Sequence, residues 1–138
     1  AIRAIRRNPG KGELVIVENR PYDEYISLMR SAHIVVDQAY SHTPATNALL
    51  SMAYGIPTVS GGEPGFYDFI GEPDTPLRRP VINSPVDLDG MTAMFDHILT
   101  HPEELRPLGQ ASRDFVMRNN ECSVVARRFL SFWQSRLT

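Results

Sequence analysis

The apolar positions change their period along the chain, and each change marks an element. Ile2 and Ile5, with arginines between them, read as the end of an amphipathic helix that Asn8-Pro9-Gly10 stops. Residues 13–18 (ELVIVE) form a nearly continuous apolar run, the pattern of a strand buried on both faces. Asn19-Arg20-Pro21 breaks it. Tyr22, Tyr25, Ile26 and Met29 then recur at helical spacing and predict a helix to about Ser31, with Pro21 near its start. Residues 33–37 (HIVVD) predict a second buried strand. A polar turn, an amphipathic helix over 45–54, a Gly-x-Pro corner and a short apolar strand at 58–60 follow, and that strand runs into Gly61-Gly62.

Residues 61–80 are rich in glycine and proline, which predicts a long loop with one helical turn through 66–70. Val81-Ile82 predicts a last short strand. Three helices are expected at about 87–100, 102–119 and 123–135, separated by His101-Pro102 and Asn119-Asn120. Strands alternating with helices predict an α/β fold, a doubly wound and mostly parallel sheet with helices at its C-terminal end. Such sheets bind ligands at the carboxyl ends of their strands, beside the switch point. The loops at 19–22, 38–46 and 61–65 are expected to converge there.

Composition narrows the classes. A chain of 138 residues is expected to be one domain with a sizeable core. A net charge of −2 offers no general attraction to nucleic acid or to an anionic membrane. The basic clusters, Arg3, Arg6, Arg7 and Lys11 at one end and Arg127 and Arg128 at the other, read as solvated helix faces. The single cysteine, Cys122, excludes an internal disulfide and a cysteine zinc site and reads as a free structural thiol. No run approaches the roughly 20 apolar residues of a membrane span, and no signal-peptide pattern is present, so the expected location is the cytoplasm. The chain opens without Met on what reads as the tail of a helix, so it is expected to be a fragment of something longer.

Candidate chemistry concentrates in the 41–62 stretch. A helix N-terminus carries partial positive charge and unpaired donors, which suit phosphate. Ser41, Thr43 and Thr46 flank Pro44 at the predicted helix start; one hydroxyl would serve as a cap, and three, with His42 and Asn47, are more than a cap requires. His42 either donates to a phosphate or sugar oxygen or is an uncommitted surface histidine. Asp37, at a strand's carboxyl end, reads as a loop cap before a catalytic acid. Gly61-Gly62 is a turn or a place where backbone approaches a ligand closely, with Glu63 then projecting into the site. Tyr25 and Met29 read as helix core, while Tyr22 lies early enough to edge a base. Phe129, Phe132 and Trp133 read as docking residues, against the sheet or a partner domain.

These residues resemble the C-terminal, nucleotide-sugar-binding domain of GT-B-fold glycosyltransferases, most of all glycosyltransferase family 4. Its helix of the form Y-x-x-L-M-x-x-A-D is matched by Tyr25-Ile26-Ser27-Leu28-Met29-Arg30-Ser31-Ala32-His33. Its E-G-F-G-L-x-x-L-E-A-M-A-x-G-x-P-V-V is followed by the run from Ala48 to Val59, ALLSMAYGIPTV. The HPEEL at 101–105 and Phe132-Trp133 fit the same domain. A variant of the motif in bacterial surface-polysaccharide transferases, Y-S-x-T-P-A-x-N-A-L-L-x-M-A-x-G followed by G-G-E-P, is more similar still.

The resemblance implies that residues 1–138 are a donor-binding domain, the first strand and the N-terminal acceptor domain lying outside this sequence. It implies transfer of a sugar from a nucleoside-diphosphate donor to a saccharide or lipid-linked acceptor in the full-length protein, the isolated fragment being inactive. Asn19, Arg20 and Tyr22 would edge the base. Ser41, Thr43, Ala45, Thr46 and Asn47 would hold the diphosphate, and Gly61, Gly62 and Glu63 would complete the donor site. His42 is the catalytic candidate. No metal and no cofactor beyond the nucleotide sugar are implied, and the parent enzyme is expected at the inner face of the membrane. The chain also departs from the family. Two glutamates with seven residues between them fall on His42 and Leu50, and Leu50 cannot hold a ribose. The Gly-Phe-Gly turn is Thr43-Pro44-Ala45. A degenerate, non-catalytic GT-B-like domain acting in assembly, or the binding half of a sugar-nucleotide epimerase, are the alternatives. A receiver-like phosphoacceptor is weaker, since Glu18 stands alone and no lysine follows Lys11.

Overall fold

The computed structural model describes residues 1–72 and 79–137. Pro73 and Pro76 of the expected long loop lie outside them. Seven helices and three strands alternate along the described chain: α1 (Ile2–Arg7), α2 (Tyr22–Ser31), β1 (Val35–Val36), α3 (Thr46–Ala53), β2 (Thr58–Ser60), α4 (Pro64–Ile70), β3 (Ile82–Asn83), α5 (Leu88–Thr100), α6 (Leu105–Asn119) and α7 (Cys122–Leu137). A 3-10 turn, Pro102–Glu104, links α5 to α6.

The strands form one small parallel sheet in the order β1-β2-β3. Val35 and Val36 stand opposite Thr58 and Val59, and Val59 and Ser60 stand opposite Ile82 and Asn83. Because successive side chains on a strand point to opposite faces, β2 serves two cores. Val59 enters the cluster that Ala4 of α1 forms with Phe95 and Ile98 of α5. Thr58 faces the other way and meets Ser51 of α3, their hydroxyl oxygens 2.6 Å apart. On that second face Met52 packs with Val81, Phe115 and Val116. Helices therefore cover both faces of the sheet, which is the α/β arrangement that the alternation predicts.

Local rules account for the helix ends. Asp87 caps α5, its carboxylate accepting from the Gly90 N–H at 2.7 Å. Gly55 closes α3 at φ +76°, a left-handed position that suits glycine. Where α3 crosses α6, a Cβ on Gly109 would stand 2.1 Å from the Gly55 carbonyl oxygen, so only glycine allows the two backbones to meet. Ahead of α7, Glu121 accepts from the N–H groups of Ser123 and Val124 and from the Ser123 hydroxyl. The Cys122 thiol, then the Ser123 contacts, pull that carboxyl down to about 2, while Glu121 pushes the thiol itself up. Cys122 is a free thiol exposed at the surface.

Two expectations fail. Residues 13–18 form no strand, and Ile16 is 69% exposed. An apolar run becomes a strand only with a neighbour to pair with, and among the described residues the sheet offers it none. The second strand shrinks from 33–37 to Val35–Val36 for a related reason: β1 is an edge, and Val36 is half exposed. The helical turn expected at 66–70 is the longer α4, and the last strand is shifted one residue along to Ile82–Asn83.

Candidate functional site

The loops that leave β1 and β2 at their carboxyl ends are held against each other without a gap. A Cβ on Gly61 would lie 2.2 Å from the Ser41 carbonyl oxygen and 2.5 Å from the Thr43 nitrogen, so the close approach needs a residue with no side chain. Across this seam the Glu63 N–H reaches the His42 carbonyl at 3.5 Å, and His42 Nδ1 lies 2.7 Å from Glu63 Oε2. The next loop is tied in as well, for the Gly62 N–H donates to Asn83 Oδ1 at 2.9 Å. Deeper in the cleft, the Ser60 hydroxyl donates to Asp37 Oδ2 at 3.2 Å. Three neighbouring strand ends are thus joined by side chains that the sequence separates by about twenty residues.

The proton positions at His42 follow from its partner. A carboxylate only accepts, so the nitrogen facing it, Nδ1, carries the hydrogen. This leaves Nε2 as the reactive edge. In the neutral ring Nε2 accepts from a hydroxyl; only the imidazolium donates to a phosphate. The His42 side chain is 85% exposed, so that edge is open to solvent and to a ligand. Across the described loops after the three strands (38–46, 61–65 and 84–87), His42 is the one basic side chain, beside the acidic Glu63 and Asp87.

The start of α3 supplies the other anion-seeking feature. Ala45 is the N-cap residue, and no side chain caps the helix. Ser41 donates instead to the Thr43 carbonyl at 2.7 Å and accepts from the Thr43 N–H at 3.3 Å, closing a local turn. The Thr46 and Asn47 side chains are exposed, and the first turn carries no acidic residue to offset the helix dipole. The buried face of this helix, Ala48, Ser51 and Met52, holds it rigidly on β2.

The structure therefore brings together Ser41, His42, Thr43, Ala45, Thr46, Asn47, Gly61, Gly62 and Glu63. The two glycines are buried by the protein's own loops, and the Gly62 N–H is already engaged. Asn19, Arg20 and Tyr22 show no hydrogen bond to this cluster among the described residues. Asn19 sits at φ +51°, Arg20 pairs with Glu24 at 3.7 Å along α2, and Tyr22 is 68% exposed. From the same helix Tyr25 does approach: burial, then the nearby Asp37 and Tyr22, push its hydroxyl up. Tyr25, Ser60 and Asn83 are residues that the sequence did not single out as part of this cluster. The one available hint was Asn83, a polar residue closing an apolar strand. No protein-family model matches the chain, and no match is found among the curated proteins or the solved structures.

Proposed function

We propose that this chain is the nucleotide-sugar-binding half of a GT-B-fold glycosyltransferase, similar to family 4 and of the type that builds bacterial surface polysaccharide. Its small parallel sheet is then the Rossmann-like core of that half. The observation that carries the reading is the uncapped start of α3, exposed beside the His42–Glu63 pair at the carboxyl end of the sheet. The diphosphate would lie over the first turn of α3, where free N–H groups and the helix dipole stabilise the charge that builds as the leaving group departs. His42, oriented by Glu63, would present Nε2 to a donor hydroxyl when neutral and to the leaving phosphate when protonated. The expected partners are a nucleoside-diphosphate sugar and the N-terminal acceptor domain of the full-length protein, working at the inner face of the membrane. Among the described residues no helix is long and apolar enough to cross a membrane.

Leu50 favours a second reading, a domain that keeps the architecture without the chemistry. It stands half-buried on α3 at the position where the resemblance expects a ribose-holding glutamate. The two readings separate experimentally. Thermal shift and saturation-transfer NMR with UDP, GDP, ADP and their sugars should detect binding at millimolar concentration, by this chain or by the full-length protein. Binding by neither would end the donor-site reading. Binding with no turnover by the full-length protein would favour the non-catalytic one. Unchanged binding by His42→Ala and Thr46→Ala would move the site while sparing the function.

A further inference from the structure

A second pair of histidines sits at the opposite end of the molecule, independent of the donor-site reading. α5 leaves the carboxyl end of β3 and ends beside that strand's beginning, where a cavity of about 340 Å3 opens between Arg79, Val81, Ile98, Leu105 and Leu108. His97 and His101, one helical turn apart at the end of α5, line it. Their rings are stacked, with centroids 4.2 Å apart and planes 22° from parallel.

Each ring has one nitrogen committed. His97 Nε2 stands 2.9 Å from Glu104 Oε2, and a carboxylate only accepts, so Nε2 carries the hydrogen. His101 Nδ1 stands 3.0 Å from the His97 carbonyl oxygen, which again requires an N–H. Thr100 Oγ1, also 3.0 Å from His101 Nδ1, already donates to the Asp96 and His97 carbonyls. In the neutral rings His97 Nδ1 and His101 Nε2 therefore keep their lone pairs. A metal-bound histidine is oriented in this way, its far N–H held by a carboxylate or a backbone carbonyl. Two imidazoles on one ion, with metal–nitrogen bonds of about 2.0–2.1 Å, place their nitrogens about 3–4 Å apart, a span within reach of rings stacked at this distance.

We propose that His97 and His101 form a site for a late first-row divalent cation, with Cu2+ preferred over Ni2+ and Zn2+ as imidazole ligands dictate. No group of three or more His, Cys, Asp or Glu side chains converges among the described residues. The ion accordingly has two protein ligands, and its remaining positions open to the cavity and solvent. Glu104 is a positioning residue that holds the His97 ring.

Calorimetric titration of the untagged protein with Cu2+ alone should show one equivalent per chain. His97→Ala and His101→Ala should each weaken it by about 100-fold and the double variant abolish it, while Glu104→Gln costs about 10-fold and His42→Ala nothing. On the unsubstituted protein, Ni2+ should broaden the imidazole NMR signals of His97 and His101 before those of His33 and His42. Undiminished binding by the double variant, an equivalent lost with His42→Ala, one ion per two chains, or equal broadening of all four histidines would each overturn the proposal.

Discussion

The two ends of the sheet carry a histidine–glutamate pair each, and the pairs are built in opposite ways. At the carboxyl end His42 and Glu63 come from loops that follow different strands, and their 2.7 Å contact exists only because Gly61 lets those loops touch. At the amino end His97 and Glu104 are seven residues apart on a continuous helical segment, and their 2.9 Å contact follows from local chain geometry. One pair reports the tertiary fold; the other reports a helix end. Both leave a ring nitrogen free, yet their neighbours differ: an uncapped helix start beside His42, a second imidazole beside His97. The same two residue types are thus set up for an anionic, hydroxyl-bearing ligand at one end and for a cation at the other.

The most forceful way to break the comparison is Gly61→Ala. A methyl group there must displace the Ser41 carbonyl, so the variant should lose about 1–3 kcal/mol of stability, measured by denaturant unfolding. Its His42–Glu63 contact and any nucleotide binding should go together, while the His97–Glu104 end stays intact. Gly109→Ala, which strikes the crossing of α3 and α6, should cost a similar amount and is the control for stability loss away from either histidine pair.

A third carboxylate sharpens the contrast because it lies near neither pair. Glu72 accepts from the Asn119 amide at 2.7 Å and from Arg118 at 3.2 Å. The Asn119 hydrogen bond, with the Arg118 contact adding to it, holds its carboxyl below the ordinary value of 4.5. A group depressed in the folded state contributes stability above its unfolded pKa and loses it as pH falls through the folded one. Stability should therefore drop on acidification below pH 4.5, and Glu72→Gln should flatten that part of the profile while costing about 1 kcal/mol at neutral pH.

The smallest stability effects belong to the two pairs themselves. Both are solvent-exposed, so Glu63→Gln and Glu104→Gln should each change stability by no more than about 0.5 kcal/mol. Their signature is elsewhere. In nitrogen-15 spectra of the neutral rings, the proton should sit on Nδ1 of His42 and on Nε2 of His97, and each glutamine variant should mix the tautomers of its own partner alone. A His42 ring with its proton on Nε2 would sink the orientation assigned to Glu63.

Much of the fold was legible one segment at a time. α2, α3 and β2 lie where spacing and breakers put them, because helix periodicity, Pro21, Gly55 and Asp87 act on the residues beside them. The candidate cluster was legible as types and loops: the 38–46 and 61–65 segments were expected at one sheet edge, and they meet there. The pairings inside it were not. No local signal joins His42 to Glu63, Ser60 to Asp37 or Gly62 to Asn83, since each bond spans more than twenty residues and depends on how the strand ends line up.

Residues 13–18 mark the boundary most clearly. Their pattern is that of a buried strand, and hydrophobicity alone predicts one. A strand is completed by the backbone beside it, and the described sheet ends at β1 without reaching them. α7 makes the same point with a helix: its hydrogen bonds are internal, so it forms without a partner, yet its Trp133 stays 58% exposed because nothing among the described residues covers it. The sequence by itself determined the elements whose bonds close within a few residues, the helices and their caps. Only the tertiary structure decided which apolar runs are buried and which histidine meets which carboxylate, because those depend on what stands opposite in space.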